Sequence, residues 1–133
     1  YPELGTSLGE ALLAPTRIYV KPVLDVISRL TVKSISHITG GGFYENIPRA
    51  LPDGIAAKIN KNSYEVPAIF KLLQSTGNIP EHDMYNTFNM GIGMMLVVDK
   101  ADAEKAVEIL RANGETAYVI GETIASGEGV VIE

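Results

Sequence analysis

"VKSISHITGGGFYENIPRAL", residues 32–51, is the stretch on which the reading of the fold turns. Its first eight residues are rich in β-branched side chains and alternate as a strand does. Val32, Ser34, Ser36 and Ile38 fall on one side, and Lys33, Ile35 and His37 on the other, although the apolar pattern is imperfect. From Gly42 onward Phe43, Ile47, Ala50 and Leu51 recur at helical spacing, with Pro48 either tolerated early in the helix or breaking it into two turns. Three glycines join the two elements. Each glycine loses more backbone freedom on folding than any other residue. Such a run therefore makes a turn closed to other residues, or it brings backbone against a ligand. A strand, a glycine run and a helix start can together hold an anion on inward-turned N–H groups and the positive end of the helix. The run is not a P-loop, since no Gly-Lys-Ser/Thr follows, and it lacks the dinucleotide-fingerprint spacing. A tight strand-to-helix turn satisfies the same residues, and both readings stay open.

The flanking sequence repeats the alternation of strand and helix. "RIYV" (17–20) reads as a short strand and "PVLDVISRL" (22–30) as a helix opened by Pro22. "LPDG" (51–54) is a turn, "IAAKIN" (55–60) a strand, and "VPAIFKLLQSTG" (66–77) a helix with Gly77 as its left-handed cap. "PEHDMYNTF" (80–88) is a second short helix, and the apolar "IGMMLVVD" (92–99) is a central strand. "ADAEKAVEILRANG" (101–114) is a helix whose Ala103, Ala106, Val107 and Leu110 share one face. "TAYVIGE" (116–122) and "GVVI" (129–132) close the chain as strands. The expected class is α+β or mixed α/β, with helices packed on a mixed β-sheet. Residues 1–15 read as a turn-rich arm or linker with a small apolar anchor at Ala11–Leu13, and residues 16–133 as one domain. Both ends look cut from something longer.

Composition narrows the function. Of 133 residues 46% are hydrophobic and 20% charged, a folded globular balance. The net charge of −5 argues against nucleic acid as a partner. No apolar run reaches the length of a membrane span, so no membrane role is expected. Without cysteine there is no disulfide framework and no thiolate chemistry, which fits a reducing, cytoplasmic setting. Two histidines, His37 and His82, and no clustered carboxylates leave no expected metal site.

The chemistry-bearing residues gather around the glycines. His37 and Thr39 point to one side of the strand as it approaches the turn, whereas Ser36 points away, so no Ser–His pair forms there. A strand-end histidine is commonly just a hydrogen-bonded, partly buried residue. Asn46 and Arg49 follow within two helical turns, and Arg49 is either a phosphate clamp or an exposed cation. The segment "FNMGIGM" (88–94) contributes Asn89, Gly91 and Gly93, which either admit a ligand or form a bulge or entry turn. Arg17 and Lys21 either reach the same cleft or are solvated.

"LLAPTRIYVKPVL", "HITGGGFYENIPRALPDG", "VPAIFKLLQSTGNI", "MYNTFNMGIGMMLVV" and "GETAYVIGE" together resemble the C-terminal domain of the phosphoribosylformylglycinamidine cyclo-ligases, also called aminoimidazole ribonucleotide synthetases. The resemblance covers nearly the whole chain. Tyr64 stands where the pattern leads one to expect Trp, and His82 and Asp83 where a paired acidic lead is expected. The resemblance implies half of an enzyme that closes the imidazole ring of a purine precursor. Formylglycinamidine ribonucleotide and ATP give aminoimidazole ribonucleotide, ADP and phosphate. It further implies that ATP and Mg²⁺ are bound mainly by an N-terminal domain, through which the whole enzyme forms a homodimer, and that this fragment alone is inactive and binds neither. Thr39, Gly40, Gly41 and Gly42 then cradle the 5′-phosphate, with Asn46 and Arg49 beside them. His37 acts as a catalytic proton-transfer or substrate-positioning residue. Arg17, Lys21, Asn89, Gly91 and Gly93 line the cleft. A related ATP enzyme of the selenophosphate or thiamine-phosphate type, and a non-catalytic ligand-binding module, are the alternatives.

Overall fold

In the computed structural model, which describes all 133 residues, a 3-10 turn (Pro2–Leu4) and α1 (Leu8–Leu12) lead into α2 (Val20–Arg29) and β1 (Val32–His37). Then come α3 (Gly42–Arg49), β2 (Ile55–Ile59), α4 (Ala68–Gly77), α5 (Glu81–Thr87) and β3 (Met94–Val98). A 3-10 turn (Lys100–Asp102), α6 (Ala103–Ala112), β4 (Gly121–Ala125) and β5 (Val130–Ile132) complete the chain. The fold is mixed α/β. β2 is the middle of a three-stranded mixed sheet, antiparallel to β4 and parallel to β5. β1 and β3 form a separate antiparallel ladder running from Val32↔Val98 to His37↔Met94.

The register of that ladder sets the layers. Ile35 lies opposite Leu96, and Ser36 opposite Met95. Cross-strand partners share a face. Leu96 and Val98 pack with Val26 of α2 and with Ala106 and Ile109 of α6. Met95 belongs to a larger core with Ile38, Phe43, Ile47, Ile59 and Met84. The β1–β3 ladder therefore has α2 and α6 on one face and α3 and α5 on the other.

The two serines in the strand pattern have a physical cause. They lie on the face toward α3, whose last carbonyls have no intrahelical partner. The Ser36 hydroxyl donates to the Asn46 carbonyl at 3.0 Å, and the Ser34 hydroxyl donates to that of Ala50. Polar groups on the buried side of β1 thus close the C-terminus of α3.

Several expectations change. Residues 17–20 are not a strand: no ladder edge pairs with them, Tyr19 already has helical φ and ψ, and α2 starts at Val20. Pro22 is tolerated because first-turn amides lack partners anyway. The last long strand is displaced. Residues 116–120 lie outside any ladder, although the Ile120 carbonyl accepts from the Asn60 amide at 2.8 Å, and β4 starts at Gly121, where an added Cβ would lie 2.0 Å from the Lys58 carbonyl oxygen. Only glycine lets β4 approach β2 so closely at that point. β3 is paired on one edge and is not central. The left-handed cap of α4 is Asn78, with φ 48°, rather than Gly77. The arm contains α1, started by a reciprocal Ser7/Glu10 cap, and Leu12 and Leu13 are exposed instead of anchoring it. On α6, Ile109 is buried, whereas Leu110 is half-buried.

Candidate functional site

The three glycines do three different things. Gly42 has φ 58°, and an added Cβ would stand 2.0 Å from the Tyr85 carbonyl oxygen and 2.8 Å from that of Phe88. It is the point at which α3 lies backbone to backbone against α5. Gly41 is the N-cap of α3 with φ 104°, a conformation that disfavours any side chain. Gly40 is exposed, lies outside the left-handed region, and has nothing within 4 Å of an added Cβ. Two glycines are therefore demanded by the turn, and one leaves space above the backbone.

Asn46 holds the turn in shape. Its buried amide donates to the Gly42 carbonyl at 2.8 Å and, at 3.4 Å, to those of Thr39 and Gly40. The Thr39 hydroxyl donates to Asn46 Oδ1 at 3.4 Å. The Gly42 amide closes the turn on the Thr39 carbonyl at 3.0 Å. No backbone carbonyl accepts from the amides of Gly40, Gly41, Phe43 or Tyr44. These are the donors that a helix start offers to an anion. Asn46 points inward and shapes this set. Arg49 points elsewhere: it is exposed and pairs with Glu45 at 3.4 Å, one helical turn back. The Glu45 carboxylate in turn overhangs Gly41, with Oε2 2.8 Å from the position of an added Cβ there.

The second glycine segment adjoins the first. The Ile38 amide donates to the Gly93 carbonyl at 2.9 Å. Asn89 is engaged in its own turn, accepting from the Gly91 amide at 2.9 Å, while the Ile92 amide bonds the Asn89 carbonyl. Met90 and Gly91 both have positive φ in this turn, and an added Cβ on Gly91 would meet Pro67 at 2.4 Å. At Gly93 the Tyr19 hydroxyl oxygen lies 1.9 Å from the position of an added Cβ, so a side chain there would displace the Tyr19 ring.

Tyr19, which the alternation of residues 17–21 puts on one face with Arg17, is seated against the end of β1. Its ring meets that of His37 edge-on, with centroids 5.9 Å apart. His37 is exposed, on the α2 side of β1, at the end of the ladder beside the glycine turn. Burial raises the Tyr19 phenol above its ordinary value, with Glu115 adding to the effect. What the sequence does not show is its contact with His37, because residues 17–20 read as a strand rather than as the approach to α2.

Arg17 and Lys21 separate. Arg17 is held by Glu115, with Nε and Nη2 at 3.0 and 3.3 Å from the carboxylate, which raises the guanidinium pKa. Lys21 is exposed and forms no salt bridge. An open cleft of about 1260 Å³ runs between the β1–β3 ladder and the three-stranded sheet, and Arg17, Tyr19, Gly91 and Gly93 line it. Thr39–Gly42, His37 and Asn89 do not. Thr39–Gly42 and Asn46 thus form one turn with free amides and His37 beside it, whereas Arg17, Gly91 and Gly93 line a separate cleft and Lys21, Arg49 and Asn89 join neither. No group of three or more His, Asp or Glu side chains is placed to hold a metal ion, and no helix is long and apolar enough to cross a membrane.

Comparison with known proteins bears on this arrangement. The profile of the family described as AIR synthase related protein, C-terminal domain, matches residues 2–133. The phosphoribosylformylglycinamidine cyclo-ligase of Lachnospira eligens is 59% identical over 133 residues, which are 99% of this chain and 39% of the relative. That of Caldicellulosiruptor bescii is 59% identical over 134 residues, covering 100% of the chain and 39% of the relative. That of Thermoanaerobacter sp. strain X514 is 56% identical over 131 residues, 98% of the chain and 39% of the relative. The chain spans about two-fifths of the length of these curated relatives.

Proposed function

This chain belongs to the family of AIR synthase related proteins, C-terminal domain, and from that premise we propose that it is the ribonucleotide-binding part of an ATP-dependent cyclo-ligase. The observation that carries the reading is identity of 54–59% along essentially the whole chain to proteins named as phosphoribosylformylglycinamidine cyclo-ligases. The reaction converts formylglycinamidine ribonucleotide and ATP to aminoimidazole ribonucleotide, ADP and phosphate. The formyl oxygen takes up the phosphoryl group, the amidine nitrogen attacks the activated carbon, and phosphate leaves with that oxygen. The protein's contribution to such a step is mainly positioning and electrostatic stabilisation.

Within that reaction the glycine turn holds the 5′-phosphate. The amides of Gly40, Gly41, Phe43 and Tyr44 supply the donors, and Asn46 keeps them convergent. Glu45, whose carboxylate overhangs Gly41 while paired with Arg49, must swing aside for an anion to enter. His37 is next to the turn and exposed, within reach of a substrate seated there, where an imidazole can position the amidine or accept its proton. In this reading ATP and Mg²⁺ are bound mainly by the remainder of the longer polypeptide that the relatives possess.

The test uses the complete polypeptide carrying this chain. Gly40→Leu adds a side chain where nothing stands within 4 Å, so the fold should tolerate it while the anion cannot approach. The expected result is an increase of at least about tenfold in KM for the ribonucleotide, roughly 1.4 kcal/mol, with KM for ATP little changed. Absence of ATP-dependent aminoimidazole formation by the unmodified polypeptide refutes the cyclo-ligase reading. Activity with an unchanged ribonucleotide KM in Gly40→Leu refutes the cradle alone.

A further inference from the structure

Seven of the ten large apolar side chains exposed on this chain fall within residues 1–27, so the exposed apolar surface is concentrated rather than scattered. On α2, Val20, Leu24 and Ile27 are 63%, 58% and 46% exposed. Their i, i+4, i+7 spacing puts them on one stripe, adjoining the inward face that carries Val26. Ile18, just before the helix, is 83% exposed. Ile35 of β1, 39% exposed, lies on the same α2/α6 side of the ladder, because it is the cross-strand partner of Leu96. β1 pairs with β3 alone, so its other edge carries unpaired backbone groups. An exposed apolar helix stripe and an unpaired strand edge on one side of the ladder mark a surface that something covers.

We propose that this face, from Ile18 along Val20, Leu24 and Ile27 to Ile35 and the free edge of β1, is the docking surface for the other three-fifths of the polypeptide that the relatives possess. The inference rests on the reading that this chain is part of such an enzyme. Three observations select the occupant. The relatives are longer than this chain by more than its own length, since it covers only 39% of each. The face is small: five apolar side chains, where a stable interface between separate molecules takes roughly 20–30 residues a side. A segment on the same polypeptide docks at a high effective concentration and needs far less area. Finally, the face runs up to His37 at the end of β1, so whatever covers it borders the glycine turn. A second copy of this chain would bring only another turn to that mouth. The rest of the polypeptide would bring the nucleotide that the reaction needs.

The experiment is hydroxyl-radical footprinting of Leu24, Ile27 and Ile35, with amide hydrogen exchange of residues 32–37, in the 133-residue chain and in the complete polypeptide carrying it. The expected result is severalfold slower oxidation of all three side chains and slower exchange along β1 in the complete polypeptide, with α6 unchanged. Leu24→Asn/Ile27→Asn should abolish the protection of β1. The footprint of the unmodified proteins decides the matter even if that variant misfolds. Equal oxidation of Leu24, Ile27 and Ile35 in both proteins overturns the proposal, as does protection that arises in the 133-residue chain alone with rising concentration, the sign of a second copy. Cyclo-ligase activity, measured in parallel, separates the two readings. An active polypeptide with no footprint sinks the surface alone, and a footprint on an inactive polypeptide sinks the activity alone.

Discussion

Replacing Gly42 by alanine tests the reading of the glycine turn most sharply. The new methyl would stand 2.0 Å from the Tyr85 carbonyl oxygen and 2.7 Å from its carbon, backbone atoms that no rotamer change can move aside. Relief requires α3 and α5 to separate, and both belong to the main core through Phe43, Ile47, Met84 and Tyr85. Overpacking of this kind costs about 1–3 kcal/mol. The φ of 58° adds the left-handed strain of an L-residue, about 1–2 kcal/mol. The expected loss is about 2–5 kcal/mol, a large part of the roughly 5–15 kcal/mol that holds such a domain together. The comparison is Gly40→Ala, which meets nothing within 4 Å and should be neutral, or stabilising by about 0.4–1 kcal/mol through the unfolded chain. Urea unfolding followed by far-ultraviolet circular dichroism measures both. If Gly42→Ala unfolds within about 0.5 kcal/mol of the parent, the claim that helix packing dictates this glycine is wrong.

The remaining expectations concern the core and the titrating groups. Ile109→Ala removes the buried contact between α6 and α2 and should cost about 2–5 kcal/mol, with the half-buried Leu110→Ala costing less; equal losses in urea would mean the face of α6 is misassigned. The Tyr64 hydroxyl is buried without a hydrogen-bond partner of regular geometry, although the Tyr85 side chain lies beside it, and burial first, then Tyr85, pushes its pKa well up. Tyr64→Phe should therefore leave stability unchanged or raise it by about 1 kcal/mol, and a clear loss would reveal a partner for the hydroxyl. Glu10, which accepts hydrogen bonds from the Thr6 and Ser7 hydroxyls, has its carboxyl lowered from 4.5 to about 2. A depressed acid stabilises the folded form above its unfolded value and loses that contribution as pH falls through the folded one. α1 should thus fray between pH 4.5 and about 2, read as the carbon-13 titration of Glu10, and a midpoint near 4.5 would contradict the cap.

What could be read in advance was local. β-branched alternation, a glycine run and helical spacing all lie within residues 32–51, and β1, the turn and α3 follow them. What escaped depended on distant partners. "RIYV" satisfies strand alternation by itself, yet the bond of Arg17 to Glu115 spans 98 positions and no ladder edge waits for it. Gly42 looks like its two neighbours in sequence, and only the carbonyl of Tyr85 distinguishes it. Arg49 reads equally as a clamp or as an exposed cation, and sequence does not show the Glu45 carboxylate beside it. Asn46 lies beside the turn, but spacing alone does not say that its amide is spent on three backbone carbonyls.

The division of the interior has a consequence for how the molecule opens. Twelve buried residues form the core around α3, α5 and the three-stranded sheet, whereas the apolar cluster between α2, α6 and the ladder has three, Val26, Ala106 and Ile109. The amides of residues 116–120, which link the two regions, donate to no backbone carbonyl. Cooperative units within a protein open at free energies set by their own buried contacts. The α2–α6 layer should therefore come away as a separate, cheaper event than global unfolding. It would take Tyr19 off His37 and leave the phosphate turn intact, since that turn is anchored entirely in the larger core.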